Sequence, residues 1–211
     1  MMPSKDEWIK ALNDRHGEDL QSKISSTTVG ICGLGGLGSN IAIALARGGV
    51  GKLILIDFDK VDITNLHRQQ YKVSQVGMYK TEALRENLTE INPYLETAIQ
   101  TVCVTEENAK ELLKECDIIC EAFDNAECKA MLTNLVLEET PDKYIVAASG
   151  MAGMGSANSI HTRKVTKRFY LCGDEISDAS DGIGLVSSRV MLCAAHQAHM
   201  VLRLIANEFE V

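Results

Sequence analysis

The chain has 211 residues, of which 45% are hydrophobic, so it is long enough for one domain with a complete core. Its net charge of −8 argues against nonspecific binding to nucleic acid or to an anionic membrane. No apolar run reaches the roughly 18 residues of a membrane span, and the polar N-terminus lacks a signal-peptide pattern. We therefore predict a single cytoplasmic domain over residues 1–211, with no membrane or nucleic-acid partner.

Cysteine usage points to a reducing compartment. The seven cysteines lie mostly in apolar stretches, which favours reduced and buried thiols. None of them forms a Cys-x-x-Cys pair, the spacing typical of a four-cysteine zinc site. The sequence therefore predicts no structural zinc.

Residues 1–26 are predicted to form an N-terminal helical segment. Ser4 and Glu7 have the spacing of a capping box, which predicts a helix over residues 4–15. The polar stretch 13–19 follows, and it contains Arg15, the only arginine of the segment. An arginine just after a terminal helix is usually a solvated charge.

A nucleotide-binding βαβ unit is predicted over residues 29–70. A strand at 27–32 enters the turn GLGGLG at 33–38, which a small-residue helix (39–47) and an apolar strand (52–57) follow. The glycines allow the backbone to approach a phosphate, and the helix N-terminus offers free N–H groups and a positive dipole end. The motif by itself does not identify the nucleotide.

An acidic residue follows the second strand of this unit. Asp57 stands 19 residues after Gly38, close to the spacing expected of a ribose-binding carboxylate. A glycine turn alone is weak evidence, because most such turns are structural. The strand and helix on either side of this one favour a nucleotide site.

Strands and helices alternate through the next part of the chain. The pattern predicts a helix at 80–91, a strand at 95–104, a helix after Thr105, a strand at 117–122, a helix at 126–138 and a strand at 144–148. This alternation predicts an α/β fold with a Rossmann-like, doubly wound, mainly parallel sheet. Ligands of such sheets bind at the carboxyl ends of the strands, where the glycine turn, Asp57, Asp59 and Asp124 would meet.

The last third of the chain differs in character. Two short strand-like runs at 157–162 and 168–171 predict an antiparallel extension of the sheet. Residues 172–184 are acidic and rich in glycine and serine, which predicts a mobile loop. An apolar stripe over 185–207 predicts a final helix.

Two kinds of chemistry compete for this edge of the sheet. A nicotinamide-dependent oxidoreductase would use the glycine turn and Asp57, but it needs no further cations. A triphosphate carries roughly four negative charges and usually brings a magnesium ion, so it needs cations and a carboxylate. Arg68, Lys80 and Asp124 would supply them. Each could alone be a surface charge or a helix cap, and a non-catalytic nucleotide-binding partner is a third possibility.

Several segments together resemble a known superfamily. GLGGLGSN, LIDFDKVDITNLHRQQ, GMYKTEAL, INP and EAFDNAECK are similar to the adenylyltransferases that include ThiF, MoeB and the ubiquitin-activating enzymes. The resemblance runs from about residue 28 to 150 and more loosely to 207. The short chain, the missing zinc cysteines and the segment ASGMAG resemble a compact bacterial ThiF-like subgroup associated with thiamine biosynthesis.

The resemblance implies a reaction. Such proteins use ATP to adenylylate the C-terminal glycine carboxylate of a small ubiquitin-like sulfur carrier, here one similar to ThiS that ends in Gly-Gly. The products are an acyl-adenylate and pyrophosphate. The resemblance also implies a homodimer in which an N-terminal arginine, here Arg15, reaches the ATP of the partner subunit.

The resemblance assigns roles to the motif residues. Asp57 would hold the ribose hydroxyls with Asp59 nearby, and Asp124 would bind Mg²⁺. The segment 172–184 would be a crossover loop over the carrier's tail, with Cys172 the candidate for a covalent bond to it. The nucleotide turn would be formed by Gly33, Gly35, Gly36 and Gly38, and the phosphates would be bound by Asn65, Arg68 and Lys80.

Overall fold

A seven-stranded sheet forms the centre of the fold in the computed structural model of the chain, which describes residues 2–180 and 182–211. Its strands are β1 (Thr28–Cys32), β2 (Lys52–Ile56), β3 (Glu96–Gln100), β4 (Ile118–Glu121), β5 (Tyr144–Ala148), β6 (His161–Lys164) and β7 (Phe169–Gly173). They are arranged in the order β3-β2-β1-β4-β5-β7-β6. Every neighbouring pair is parallel except β6 and β7. The sheet confirms the predicted doubly wound, mainly parallel architecture with an antiparallel extension.

Helices cover both faces of this sheet. They are α1 (Lys5–His16), α2 (Glu18–Ser26), α3 (Gly36–Gly48), α4 (Lys80–Ile91), α5 (Glu106–Leu112), α6 (Ala126–Glu139) and α7 (Ser187–Ile205). Apolar side chains of α3, α4 and α7 pack on one face, and those of α5 and α6 pack on the other. In β1, Val29 and Ile31 point to the first face and Cys32 to the second. Coverage of both faces explains the near-continuous apolar runs of the central strands.

The predicted element boundaries hold best where local signals are strong. α4 and β5 begin and end where the sequence predicts, at 80–91 and 144–148. α3 begins earlier than predicted, at Gly36, inside the glycine turn. β3 ends at Gln100 rather than at residue 104, because it is paired with β2, which is itself only five residues long.

The N-terminal segment contains two helices. Ser4 and Glu7 form the predicted capping box, and α1 runs to His16, where Gly17 with φ of 82° ends it. The second helix, α2, is absent from the sequence prediction because its residues are mostly polar; among them Gln21 and Ile24 are buried. The stretch 13–19 is polar, as the sequence indicates, but apart from Gly17 its residues belong to α1 and α2.

In the C-terminal third, two further element boundaries differ from those predicted from the sequence. The strand predicted at 157–162 is a 3₁₀ turn over Ala157–Ser159 followed by β6. The predicted loop at 172–184 begins too early, because Cys172 and Gly173 complete β7 by pairing with its neighbours. Asp181, within that predicted loop, lies outside the described residues.

The final helix, α7, packs against α3 and the end of the sheet. It spans Ser187–Ile205, slightly less than the predicted 185–207. Among residues 2–180 and 182–211, no helix combines the length and apolar character that crossing a membrane requires.

We predict that Gly51→Ala destabilises the fold where α2 meets β2. The Gly51 N–H donates to the Ile24 carbonyl at 3.2 Å, and a Cβ on Gly51 would lie 1.8 Å from the carbonyl oxygen of Ser25. Backbone must therefore move, which should lower the free energy of unfolding by about 2–3 kcal/mol. Urea denaturation measures this change.

The matched control is Gly48→Ala, at the end of α3. Its Cβ would lie 3.6 Å from a methyl group of Leu202, an ordinary contact, and alanine favours the helix. This variant should be as stable as the parent or more stable by up to about 1 kcal/mol. Equal stabilities for the two variants would contradict the packing argument.

Candidate functional site

A cleft of about 650 Å³ opens where β1, β2, β4 and β5 end. Its walls come from the glycine turn, the residues that follow each of these strands, and the segments 149–152 and 177–179. Every predicted site residue except Gly38, Arg15 and Cys172 lines it: Gly33, Gly35, Gly36, Asp57, Asp59, Asn65, Arg68, Lys80 and Asp124. The structure thus brings residues from distant parts of the chain to one edge of the sheet.

The glycine turn depends on two close backbone approaches. Gly33 has φ of 90°, and a Cβ on it would lie 2.7 Å from the carbonyl oxygen of Ala122, just after β4. A Cβ on Gly38 would lie 1.8 Å from the carbonyl oxygen of Gly33. Gly33 therefore allows the turn to pack against the end of β4, and Gly38 allows α3 to pack against the turn. Gly38 contributes to the site through packing and does not line the cleft.

Asp57 joins the end of β2 to the glycine turn. Its Oδ2 accepts the N–H of Leu34 at 2.6 Å, and its Oδ1 accepts the N–H of Asp59 at 2.7 Å. The residue is 8% exposed. Burial raises the pKa of Asp57, although the nearby Lys80 charge and the two N–H groups oppose the shift. Each carboxylate oxygen has two acceptor sites, so capacity remains for a hydroxyl group of a ligand.

Lys80 is a buried cation rather than a surface lysine. It is the first residue of α4 and only 5% exposed. Its Nζ donates to Asp59 Oδ2 at 2.7 Å and lies 3.9 Å from Asp57 Oδ2. A buried ammonium requires such partners, and here they are two cleft carboxylates. An anionic ligand at this point would meet a cation that is already positioned.

Arg68 lies beside the glycine turn with unused hydrogen-bonding capacity. One of its terminal nitrogens donates to Asn65 Oδ1 at 2.7 Å. Its buried Nε has no hydrogen-bond partner among the described residues. Burial lowers the pKa of Arg68, and the Asp124 carboxylate opposes this shift. Asn65 thus orients a guanidinium that lines the cleft, where an anion can accept from its terminal N–H groups.

Gln69 also lines the cleft, although it is not among the predicted site residues. It is 8% exposed, and its buried Oε1 has no partner in the described part of the chain. A buried acceptor without a partner is uncommon, and a ligand in the cleft is one group that could supply the donor. Its position directly after Arg68 in NLHRQQ is the signal that could have identified it.

Asp124 lies in the turn between β4 and α6. Asn125, not Asp124, caps α6, because its side chain accepts the N–H of Cys128 at 2.9 Å. The Asp124 carboxylate is therefore available in the cleft, and the residue is exposed.

The donor set of the cleft suits a magnesium ion only if phosphate shares in binding it. Within residues 2–180 and 182–211, no group of three His, Cys, Asp or Glu side chains is placed to hold a metal. Mg²⁺ is commonly held by one or two carboxylates together with substrate phosphates and waters. Asp124 fits that arrangement.

Arg15 is not near the cleft of its own chain. It lies in the last turn of α1. The N-terminal helices pack at the amino ends of the strands, where Gly51, just before β2, bonds to Ile24 of α2. The cleft lies at the opposite ends of the strands, so Arg15 can contribute to a site only in another copy of the chain.

Cys172 does not have the properties of a nucleophile. It is fully buried in β7, and burial raises the pKa of its thiol to about 12. The prediction that it lies in a loop was wrong, because its backbone pairs with both β5 and β6. The cysteines that line the cleft are instead Cys103 and Cys128.

Residues 177–179 and Leu185 line the cleft together with the segment that follows β5. Asp174 accepts the N–H groups of Ile176 and Ser177 and pairs with Arg189 at 2.5 Å. The Ser177 hydroxyl accepts the N–H of Ala152 at 3.0 Å. The ion pair therefore joins Asp174 to α7, and the hydrogen bond joins Ser177 to the segment that follows β5.

The fold and the cleft define a Rossmann-like α/β protein whose ligand site lies at the carboxyl edge of its sheet. Comparison with known proteins then gives its family. The ThiF family model matches residues 10–210, and the chain belongs to this family.

Two curated relatives illustrate the relationship. The chain is 34% identical over 152 residues to the adenylyltransferase and sulfurtransferase MOCS3 of Caenorhabditis briggsae, a match covering 71% of this chain and 37% of that protein. It is 28% identical over 198 residues to the adenylyltransferase and sulfurtransferase UBA4 of Lodderomyces elongisporus, covering 90% and 43%. The chain thus spans less than half the length of these relatives.

Solved structures share the fold at lower identity. E. coli tRNA N6-threonylcarbamoyladenosine dehydratase TcdA, in complex with ATP, matches with a TM-score of 0.86 and 20% identity, covering 99% of this chain and 98% of that one. E. coli MccB with AMPCPP and MccA matches with a TM-score of 0.70 and 22% identity, covering 90% and 59%. At these identities the likeness establishes the fold alone.

We predict that two thiols of the folded protein react rapidly with Ellman's reagent, and that ATP slows both. Cys103 is exposed and Cys128 half-buried in the cleft, whereas the other cysteines are buried. Only a thiolate reacts, and burial suppresses it in Cys172. Stopped-flow absorbance with and without ATP measures the rates.

The control is the variant carrying Cys103→Ser and Cys128→Ser, which should lose the rapid phase. Peptide mapping that found Cys172 among the rapidly labelled residues would contradict the burial described above.

Proposed function

We propose that residues 1–211 act as one cytoplasmic adenylyltransferase domain that uses ATP to activate a carboxylate. One observation carries this proposal: the glycine turn, the buried Lys80, the unsatisfied Arg68 and the available Asp124 line the same cleft. The two cations suit a polyphosphate, and the carboxylate suits its magnesium ion. Membership of the ThiF family supports the same reaction class.

A nicotinamide-dependent oxidoreductase is less well supported. Such an enzyme transfers a hydride between its substrate and the nicotinamide ring. That reaction does not require a second buried cation beside the glycine turn. Lys80 and Arg68 both lie there, and both could stabilise the negative charge of a leaving pyrophosphate. A non-catalytic nucleotide-binding protein would bind ATP in the same cleft and fail the exchange assay below.

Catalysis would depend on positioning and on charge. Asp57 would accept the ribose hydroxyls, and the N–H groups at the start of α3 would face the phosphates. A substrate carboxylate oxygen would attack the α-phosphorus, and the α–β bridging oxygen would leave with pyrophosphate. Arg68 and Lys80 would stabilise the charge that develops on the leaving group. Magnesium, held by Asp124 and the phosphates, would further neutralise that charge.

We propose that the carboxylate belongs to the Gly-Gly terminus of a small ubiquitin-like sulfur carrier similar to ThiS. The relatives named adenylyltransferase and sulfurtransferase support a sulfur carrier. The small residues Ser149, Gly150 and Ala152 line the cleft away from the glycine turn, which suits an unbranched chain terminus. A place in thiamine biosynthesis rests on the sequence resemblance alone.

A tRNA modification is the second candidate. TcdA, whose name places it in such a modification, overlaps with the chain over nearly the whole length of both. MOCS3 and UBA4 are more than twice as long as the segment they share with it. The net charge of −8 disfavours RNA. Exchange stimulated by tRNA instead of a carrier would select this candidate.

We also propose a homodimer in which Arg15 completes the cleft of the partner subunit. Arg15 lies at the amino edge of its own sheet, opposite its own cleft. It can reach a nucleotide only if a second copy brings this edge to the cleft. A twofold dimer would supply two equivalent contacts.

We predict that Asp124→Ala reduces pyrophosphate–ATP exchange by at least about 100-fold, because the phosphates lose their metal-binding carboxylate. Exchange would be measured in magnesium with a panel of carriers that end in Gly-Gly. Asp142→Ala is the matched control, because Asp142 is exposed just before the amino end of β5. Near-normal activity of Asp124→Ala would remove Asp124 from the proposed role, and no exchange by the parent with any carrier would remove the carrier.

We predict that Arg15→Ala and Asp124→Ala are each inactive alone but complement each other when mixed. In a mixed dimer, one of the two sites has both an intact Asp124 and an intact Arg15 from the other subunit. After subunit exchange at equal amounts, half of the dimers are mixed, so activity should recover to about a quarter of the parent's. Arg15→Ala with normal activity, or no recovery on mixing, would contradict the contact.

A further inference from the structure

A third cation, Lys129, lines the cleft, and its hydrogen bonds distinguish it from Arg68 and Lys80. Lys129 lies near the start of α6. Its Nζ donates to both carboxylate oxygens of Glu121, at 3.1 and 3.0 Å, and to the carbonyl of Ala148 at 3.1 Å. An ammonium group has three N–H donors. All three are used within the protein, so none is left for a phosphate.

Glu121 is the last residue of β4 and is 1% exposed. Its Oε1 also accepts the N–H of Phe123 at 2.7 Å, in the turn that leads to Asp124. A carboxylate buried this deeply is costly unless it is paired and hydrogen-bonded. Lys129 and the Phe123 N–H supply those partners.

The pair connects three segments that meet at the cleft. Glu121 ends β4, Lys129 belongs to α6, and Ala148 ends β5. Between the first two lies the turn 122–125, which carries Asp124. The same turn contacts the glycine turn, since a Cβ on Gly33 would lie 2.7 Å from the Ala122 carbonyl oxygen. The Lys129–Glu121 pair therefore limits how the turn 122–125 can move relative to the glycine turn.

We infer that Lys129 and Glu121 are positioning residues: their ion pair holds the turn 122–125 so that Asp124 faces the nucleotide phosphates, and Lys129 does not bind phosphate. The inference rests on the function proposed above, because it needs a nucleotide in the cleft. It separates the cations of the cleft into two that act on the ligand and one that acts on the protein.

Calorimetric titration with ATP, in magnesium and in EDTA, tests this inference without an acyl substrate. Lys129→Met should weaken ATP binding in magnesium by about 10-fold or more, the usual effect of losing a group that orients a metal ligand. In EDTA its affinity should equal the parent's. A Lys129 that touched phosphate would lower the affinity in both conditions, and that result would overturn the inference.

A double substitution separates pairing from direct contact. Glu121→Gln together with Lys129→Met removes both charges and leaves a neutral pair of similar volume. Its affinity in magnesium should be no lower than that of Lys129→Met, because both substitutions remove the same ion pair, and its affinity in EDTA should equal the parent's. Lys80→Met is the control, and adding Glu121→Gln to it should weaken binding in magnesium further, because Lys80 acts independently of the pair.

The outcomes remain distinguishable if Lys129→Met fails to fold. The double variant then decides: a loss of about 10-fold or more in magnesium with parent-like binding in EDTA supports the inference, and a loss in both conditions, or in neither, overturns it. A parent that binds no ATP would refute the proposed function itself. A parent that binds ATP no better than a folded Lys129→Met would refute only the positioning role.

Discussion

The Asp57 carboxylate is the contact on which the rest of the cleft depends. It holds the backbone of the glycine turn through Leu34 and the backbone of its own loop through Asp59. The position of Lys80 also depends on this carboxylate, because its ammonium group bonds to Asp59 and lies near Asp57. Since burial raises the pKa of Asp57, the folded chain binds a proton there more tightly than the unfolded chain. The free energy of unfolding therefore falls as pH rises above the ordinary pKa of an aspartate, and stability is lower where the site is ionised for function.

Local charge in this protein differs from the average charge of the chain. The net charge is −8, yet Arg68, Lys80 and Lys129 all line one cleft. Their surroundings differ. Lys129 is fully hydrogen-bonded within the protein, Lys80 is shared with carboxylates, and Arg68 keeps an unsatisfied donor. An incoming anion would therefore meet free N–H donors at the terminal nitrogens of Arg68 and none at Lys129, and the net charge of the chain does not predict this.

Much of the fold and of the nucleotide end could be predicted from the sequence because their signals are local. The glycine turn, α4 and β5 follow from spacing, periodicity and apolar runs. Features set by distant partners could not be predicted in this way. β3 is short because β2 is short, and Cys172 is buried because two strands flank it. The saturation of Lys129 depends on Ala148, which is 19 residues away.

The two ends of the cleft are built by different kinds of contact, and this explains why the nucleotide can be inferred more firmly than the acyl substrate. The proposed nucleotide end, which consists of the glycine turn, Asp57, Arg68 and Lys80, combines short motifs that follow β1 and β2. The other end depends on the Asp174–Arg189 ion pair and on the bond between Ala152 and Ser177, which join segments with no shared motif. A carrier terminus and a nucleic acid differ in width and charge, so they would require different walls here and the same glycine turn. Changes to residues 174–179 should therefore alter which carboxylate is accepted while leaving ATP binding unchanged.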